Sequence, residues 1–128
     1  MFLIISDRQI KCNYYILELA LEVSISAFNQ DYVYEVVKDR YVKEGRVFAT
    51  IEPGEPDGFR TDVHGNIFTS SADSVQVYAP DGICLGKIFV PEVCTNLTFG
   101  GREKNRLFIT AKTSLYAIAL NTRGVQKP

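Results

Sequence analysis

A repeat limits the fold more than any other feature of this chain. Phe59–Ser71 and Leu97–Ala111 share one layout: a short strand, a turn, then a β-rich run in which Phe68-Thr69-Ser70 is echoed by Phe108-Ile109-Thr110. Each is followed by a further strand pattern, Val75–Tyr78 and Leu115–Ile118. The offset is about 40 residues, the period of one four-stranded propeller blade. Such a unit buries its apolar faces by stacking on its neighbours.

The remaining stretches are compatible with that reading. Alternation predicts strands over 31–37, 46–51, 74–79, 83–90, 96–99, 106–112 and 114–120, with turn residues between them. Within them Val75 and Val77 face one way and Gln76 and Tyr78 the other. Leu107, Ile109 and Ala111 are expected inward, as are Leu115, Ala117 and Ala119. Pro80-Asp81-Gly82 reads as a hairpin turn. Residues 59–90 make one complete blade, 96–120 a second that lacks its outer strand, and the region before 52 part of a third. The fold class is therefore all-β, a partial β-propeller of about three blades. Known propellers close with roughly four to eight blades, so this number cannot close a ring.

Residues 1–30 form the least legible part, followed by blades over 31–125 and a tail at 126–128. Phe2–Ile5 could be a short strand. Odd positions from Tyr15 to Ile25 are apolar throughout, which predicts strand over 14–26. A helix over 14–22 competes, because Glu18 and Glu22 lie four apart among Leu and Ala. From Asn121 onward the chain is polar and is expected to fray.

Composition narrows the partners. The 128 residues carry a formal net charge of −1, which predicts no nucleic-acid or anionic-membrane attraction. No apolar run approaches the length of a membrane span, and Met1–Ile5 is too short for a signal core. Cys12, Cys84 and Cys94 are odd in number, without a CxxC pair. They are expected to be buried small hydrophobes in a reducing, cytoplasmic compartment.

Chemistry is most concentrated over Gly54–Ser71. Pro56 fixes its own φ and biases Glu55 toward extended geometry, while Gly58 permits backbone angles that other residues avoid. Asp57 is thus held on a stiff turn ahead of the strand from Phe59. A carboxylate so placed suits a metal ligand or a general base. The alternative is an Asx-type turn in which Asp57 bonds a nearby backbone N–H.

Arg46-Val47-Phe48-Ala49, Gly54-Glu55-Pro56-Asp57-Gly58-Phe59-Arg60-Thr61-Asp62-Val63-His64-Gly65-Asn66-Ile67, Tyr78-Ala79-Pro80-Asp81-Gly82, Asn96-Leu97-Thr98-Phe99-Gly100-Gly101 and Leu107-Phe108-Ile109-Thr110-Ala111 occur in that order. The ordered set resembles the gluconolactonase/regucalcin (senescence marker protein) family over roughly residues 31–125, its C-terminal half. The resemblance implies a six-bladed propeller that holds a divalent cation, calcium or zinc, and hydrolyses small sugar lactones. Asp57 matches the Asp that the family uses as metal ligand, and as base for a bound water. The family's other metal ligands are an early-blade Glu, which has no counterpart here, and a middle-blade Asn, for which Asn13 and Asn29 lie where the match is poor. Two copies pairing as a homodimer could complete the ring, each N-terminal strand filling the other's missing outer strand. The alternative is a non-catalytic binding or remnant module.

Other polar residues have structural readings. His64 is an exposed turn residue, Asp81 belongs to a hairpin turn, and Arg102-Glu103-Lys104 is a solvated loop. Asp62 either supports Asp57 or is solvated. Gly100-Gly101 joins two strands and is no phosphate loop.

Overall fold

The computed structural model describes residues 2–3, 29–37, 41–43 and 45–125. The predicted strand over 14–26, Cys12, Asn13 and the charged segment 38–40 lie outside them. Among the described residues every regular element is a strand, and no helix is long and apolar enough to cross a membrane.

Three antiparallel sheets follow one another in chain order. The first joins β1 (Phe2–Leu3), β2 (Gln30–Val37), β3 (Tyr41–Val42) and β4 (Arg46–Thr50), with β2 pairing to each of the others. The second is a meander of β5 (Phe59–Thr61), β6 (Ile67–Ser70), β7 (Ser74–Tyr78) and β8 (Cys84–Phe89). The third runs β9 (Cys94–Gly100), β10 (Arg106–Ala111), β11 (Leu115–Ala119). This is a partial propeller, with the middle sheet as its complete blade.

Two apolar layers explain why β6 and β7, the inner strands of the middle sheet, are so buried. On one side Val33, Phe48, Ala49 and Ile51 pack with Ile67 and Tyr78. On the other, Phe68, Val75 and Val90 pack with Cys94, Leu97, Phe99, Leu107 and Ile109. Both faces of β6 are therefore covered, and all four of its residues are buried. Burying side chains such as Ile51, Leu107 and Ile109 contributes about 1.5–3 kcal/mol each. Gly82, at φ 87°, brings the β7–β8 turn onto β4, where an added Cβ would lie 2.6 Å from the Phe48 carbonyl oxygen.

Three expectations are corrected. Leu115, Ala117 and Ala119 do not face inward: Leu115 is 66% exposed and both alanines are exposed. Register is the cause, because Ile109 pairs with Tyr116 and Leu107 with Ile118. Directly paired residues share a face, so Tyr116 and Ile118 lie on the packed side. Cys94 is buried, but Cys84 is exposed on β8. The tail is not frayed over 121–125. Val63 N–H donates to Arg123 O (2.9 Å), Gly124 N–H to Lys104 O (2.9 Å) and Val125 N–H to Thr61 O (3.2 Å), which lays the tail along β5.

Candidate functional site

The segment 52–58 leads from β4 into β5, and nearly every turn of it is fastened to the middle sheet. Gln76, 1% exposed, donates from Nε2 to the Glu52 carbonyl (2.9 Å), and Lys87 Nζ donates to the same oxygen (2.8 Å). Tyr78 donates from its hydroxyl to Gln76 Oε1 at 2.6 Å and orients that amide. Burial, with the nearby Cys84 and Asp31 adding to it, pushes the Tyr78 phenol up to about 12, so it remains a donor. Ala72 N–H donates to the Pro53 carbonyl at 2.9 Å. Gly54 at φ 90° sits so near Ala72 that an added Cβ would meet the Ala72 Cβ at 2.6 Å. Pro56 is buried.

Asp57 follows, exposed at the head of β5, with its backbone held and its side chain facing solvent. Both its N–H and that of Gly58 donate to Ser70 Oγ, each at 3.0 Å. Gly58 O in turn accepts from Ser70 N–H at 2.9 Å. On the far side, β9 lies against β5, and a Cβ on Gly58 would stand 2.4 Å from Asn96 Oδ1. A side chain at 58 would therefore have to displace that of Asn96.

Asp62 belongs to a different construction. It is 1% exposed. Oδ1 accepts from the His64 and Asn66 N–H groups (2.9 Å each), and Oδ2 from Asn66 Nδ2 (3.0 Å) and Thr122 Oγ1 (2.9 Å). Neither sequence reading of Asp62 holds: it is not solvated, and it fastens the β5–β6 turn to the tail. His64 is exposed in that turn. Asp81 caps its own turn, accepting from Ile83 N–H at 3.0 Å. Asn29, at φ 57°, gives its carbonyl to Ile51 N–H (2.7 Å). Burial pushes the Cys94 thiol up, away from nucleophile character.

A hard divalent cation takes six to eight oxygens. Among the described residues no three His, Cys, Asp or Glu side chains come together to hold a metal ion. Asp57 offers one carboxylate, so the described residues do not fit a complete cation site. Ser70 and Gln76 escaped the sequence reading. Ser70 had a signal, since the repeat places a hydroxyl residue again at Thr110. Gln76 had none, because its partner is a backbone carbonyl in the loop that follows β4.

The family model described as SMP-30/Gluconolactonase/LRE-like region matches residues 26–113. A gluconolactonase of Zymomonas mobilis is 36% identical over 73 residues, covering 56% of this chain and 20% of its own length. An X-ray structure of a protein assigned as a gluconolactonase superposes with TM-score 0.77 at 36% identity, over 82% of this chain and 36% of that one. A gluconolactonase from Xanthomonas campestris gives TM-score 0.68 at 31% identity, over 77% of this chain and 32% of that one. The chain thus spans about a fifth to a third of the length of these relatives. With residues 26–113 matched, this chain belongs to the SMP-30/gluconolactonase/LRE-like family.

Proposed function

We propose that this chain carries part of the machinery of a sugar-lactone hydrolase, with Asp57 as its reacting carboxylate. The observation that carries the reading is the contrast at position 57: a backbone fastened on two sides and a carboxylate left facing solvent. In hydrolysis, water adds to the lactone carbonyl and gives its proton to the Asp57 carboxylate. The ring C–O bond then breaks, and the departing alkoxide takes the proton to give the hydroxy acid. A calcium or zinc ion bound here would take one ligand oxygen from Asp57 and would polarise the lactone carbonyl.

Self-association belongs to the same reading. Among the described residues β11 pairs with β10 alone, and Leu115 stands exposed on it. A second copy is the occupant we assign to that edge. The exposed free thiol of Cys84 suits a reducing compartment, in keeping with a cytoplasmic protein.

Hydrolysis of glucono-1,5-lactone, above the spontaneous rate and with calcium or zinc added, tests the assignment. The intact chain should show a catalysed rate that Asp57→Ala abolishes. No rate above the uncatalysed one under either cation would leave a non-catalytic binding module as the reading.

A further inference from the structure

We propose that Ser70 is the positioning residue for Asp57: its hydroxyl oxygen fixes the stretch of backbone from which that carboxylate projects. The inference rests on the reading of Asp57 as the reacting group. Ser70 is 0% exposed, the last residue of β6, on a strand buried along its whole length. One oxygen accepts two successive N–H groups, those of Asp57 and Gly58, at 3.0 Å each. The Ser70 N–H closes the ring by donating to Gly58 O at 2.9 Å. The three bonds fall on three successive peptide units: Pro56–Asp57 and Asp57–Gly58 through their N–H groups, and Gly58–Phe59 through its carbonyl. The Asn96 side chain lies on the opposite side, where a Cβ added to Gly58 would have to displace it.

The third sheet offers an internal comparison. Phe59 pairs with Thr69 as Leu97 pairs with Ile109, so Thr110 stands where Ser70 does and Thr95 where Asp57 does. Thr110 Oγ1 donates to Asn96 O (3.2 Å) and lies 3.0 Å from Thr95 Oγ1. The hydroxyl again fastens the entry to the sheet's first strand, but the residue held there carries no carboxylate. The hydroxyl is thus common to both sheets, and Asp57 is peculiar to the one whose loop is clamped through two N–H groups. Losing the acceptor leaves two donors unsatisfied, and a loop free to turn its carboxylate aside.

Amide hydrogen exchange on the intact chain reads the clamp directly. In the wild-type protein the Asp57 and Gly58 amides should exchange more slowly than the exposed Glu55 amide. Ser70→Ala should accelerate both by about tenfold or more. Ser70→Thr should retain their protection, and Ser74→Ala, which removes another buried hydroxyl, should leave them unchanged. Calcium and zinc titrations, read by melting temperature, should show a weaker rise for Ser70→Ala than for Ser74→Ala. Exchange at Asp57 and Gly58 as fast as at Glu55 in the wild type would overturn the proposal, even if Ser70→Ala fails to fold. So would equal acceleration by Ser74→Ala. Absence of any lactone hydrolysis or cation response in the wild type would instead count against Asp57 itself, while exchange still decides the role of Ser70.

Discussion

Thr122 donates from Oγ1 to Asp62 Oδ2 at 2.9 Å, across 60 positions of sequence. That bond joins the tail to the turn that follows the strand headed by Asp57. Asp62 accepts three further hydrogen bonds, all from its own turn. Asp62→Ala would strip the acceptor from four donors around a buried position. The expected loss is about 2–4 kcal/mol, against about 1 kcal/mol for Thr122→Ala. Urea denaturation of the two variants checks both values. Equal losses would mean that the turn does not depend on Asp62.

Gly124 is held for a reason of space. It is buried, and an added Cβ would stand 2.5 Å from the Phe99 Cβ and 2.6 Å from its Cγ. Phe99 cannot yield freely, because it packs edge-on against Phe68 with ring centres 5.2 Å apart. Gly124→Ala should therefore lift the tail off β5 and cost about 1–3 kcal/mol. Faster exchange of the Val125 amide, without change in β6, is the expected signature. A tail that stays protected in this variant would show that Phe99 can move.

These tail contacts mark where the sequence stopped being legible. Strands such as Arg106–Ala111 could be read because alternation and turn residues are local signals. The repeat carried the stacking of sheets, since its period is a property of the whole unit. Which face of β11 is packed depends on register with β10, and a shift of one residue exchanges the two faces. Asp62 reads either as a support for Asp57 or as solvated because it alternates away from the apolar face of its strand, whereas its most distant partner is Thr122. The stiff turn that carries Asp57 is legible from Pro56 and Gly58, but the hydroxyl that holds its backbone comes from β6, the next strand, at Ser70.

Glu92 should make stability depend on acid pH. Its carboxylate accepts from Ser114 Oγ (2.5 Å), the Thr113 N–H (2.8 Å), Thr113 Oγ1 (3.0 Å) and Tyr116 OH (3.0 Å). The Ser114 hydrogen bond first, then those from Thr113 and Tyr116, lower it from 4.5 to about 2, against a smaller opposing effect of burial. A folded value below the unfolded one means that the stabilisation is fully present above about 4.5 and is lost as pH falls toward about 2. Glu92→Gln should therefore flatten that part of a melting-temperature profile and leave its shape near neutrality unchanged. Parallel acid profiles for the two proteins would remove Glu92 as the source.

The third sheet is where a second copy is expected to associate. An edge strand presents unpaired N–H and C=O groups, and natural proteins usually blunt it with charge or cover it. β11 reads Leu115-Tyr116-Ala117-Ile118-Ala119, with no charge in it. Its exposed face carries Leu115 at 66% exposure beside Thr110, its partner on β10. Light scattering should give twice the chain mass of 14.4 kDa. Leu115→Lys places a charge on that face, away from the packed side occupied by Tyr116, and should return the protein to the mass of one chain with its fold intact. A wild-type chain that stays monomeric at high concentration would mean that the β11 edge is tolerated bare, and the second copy would have to be abandoned as its cover.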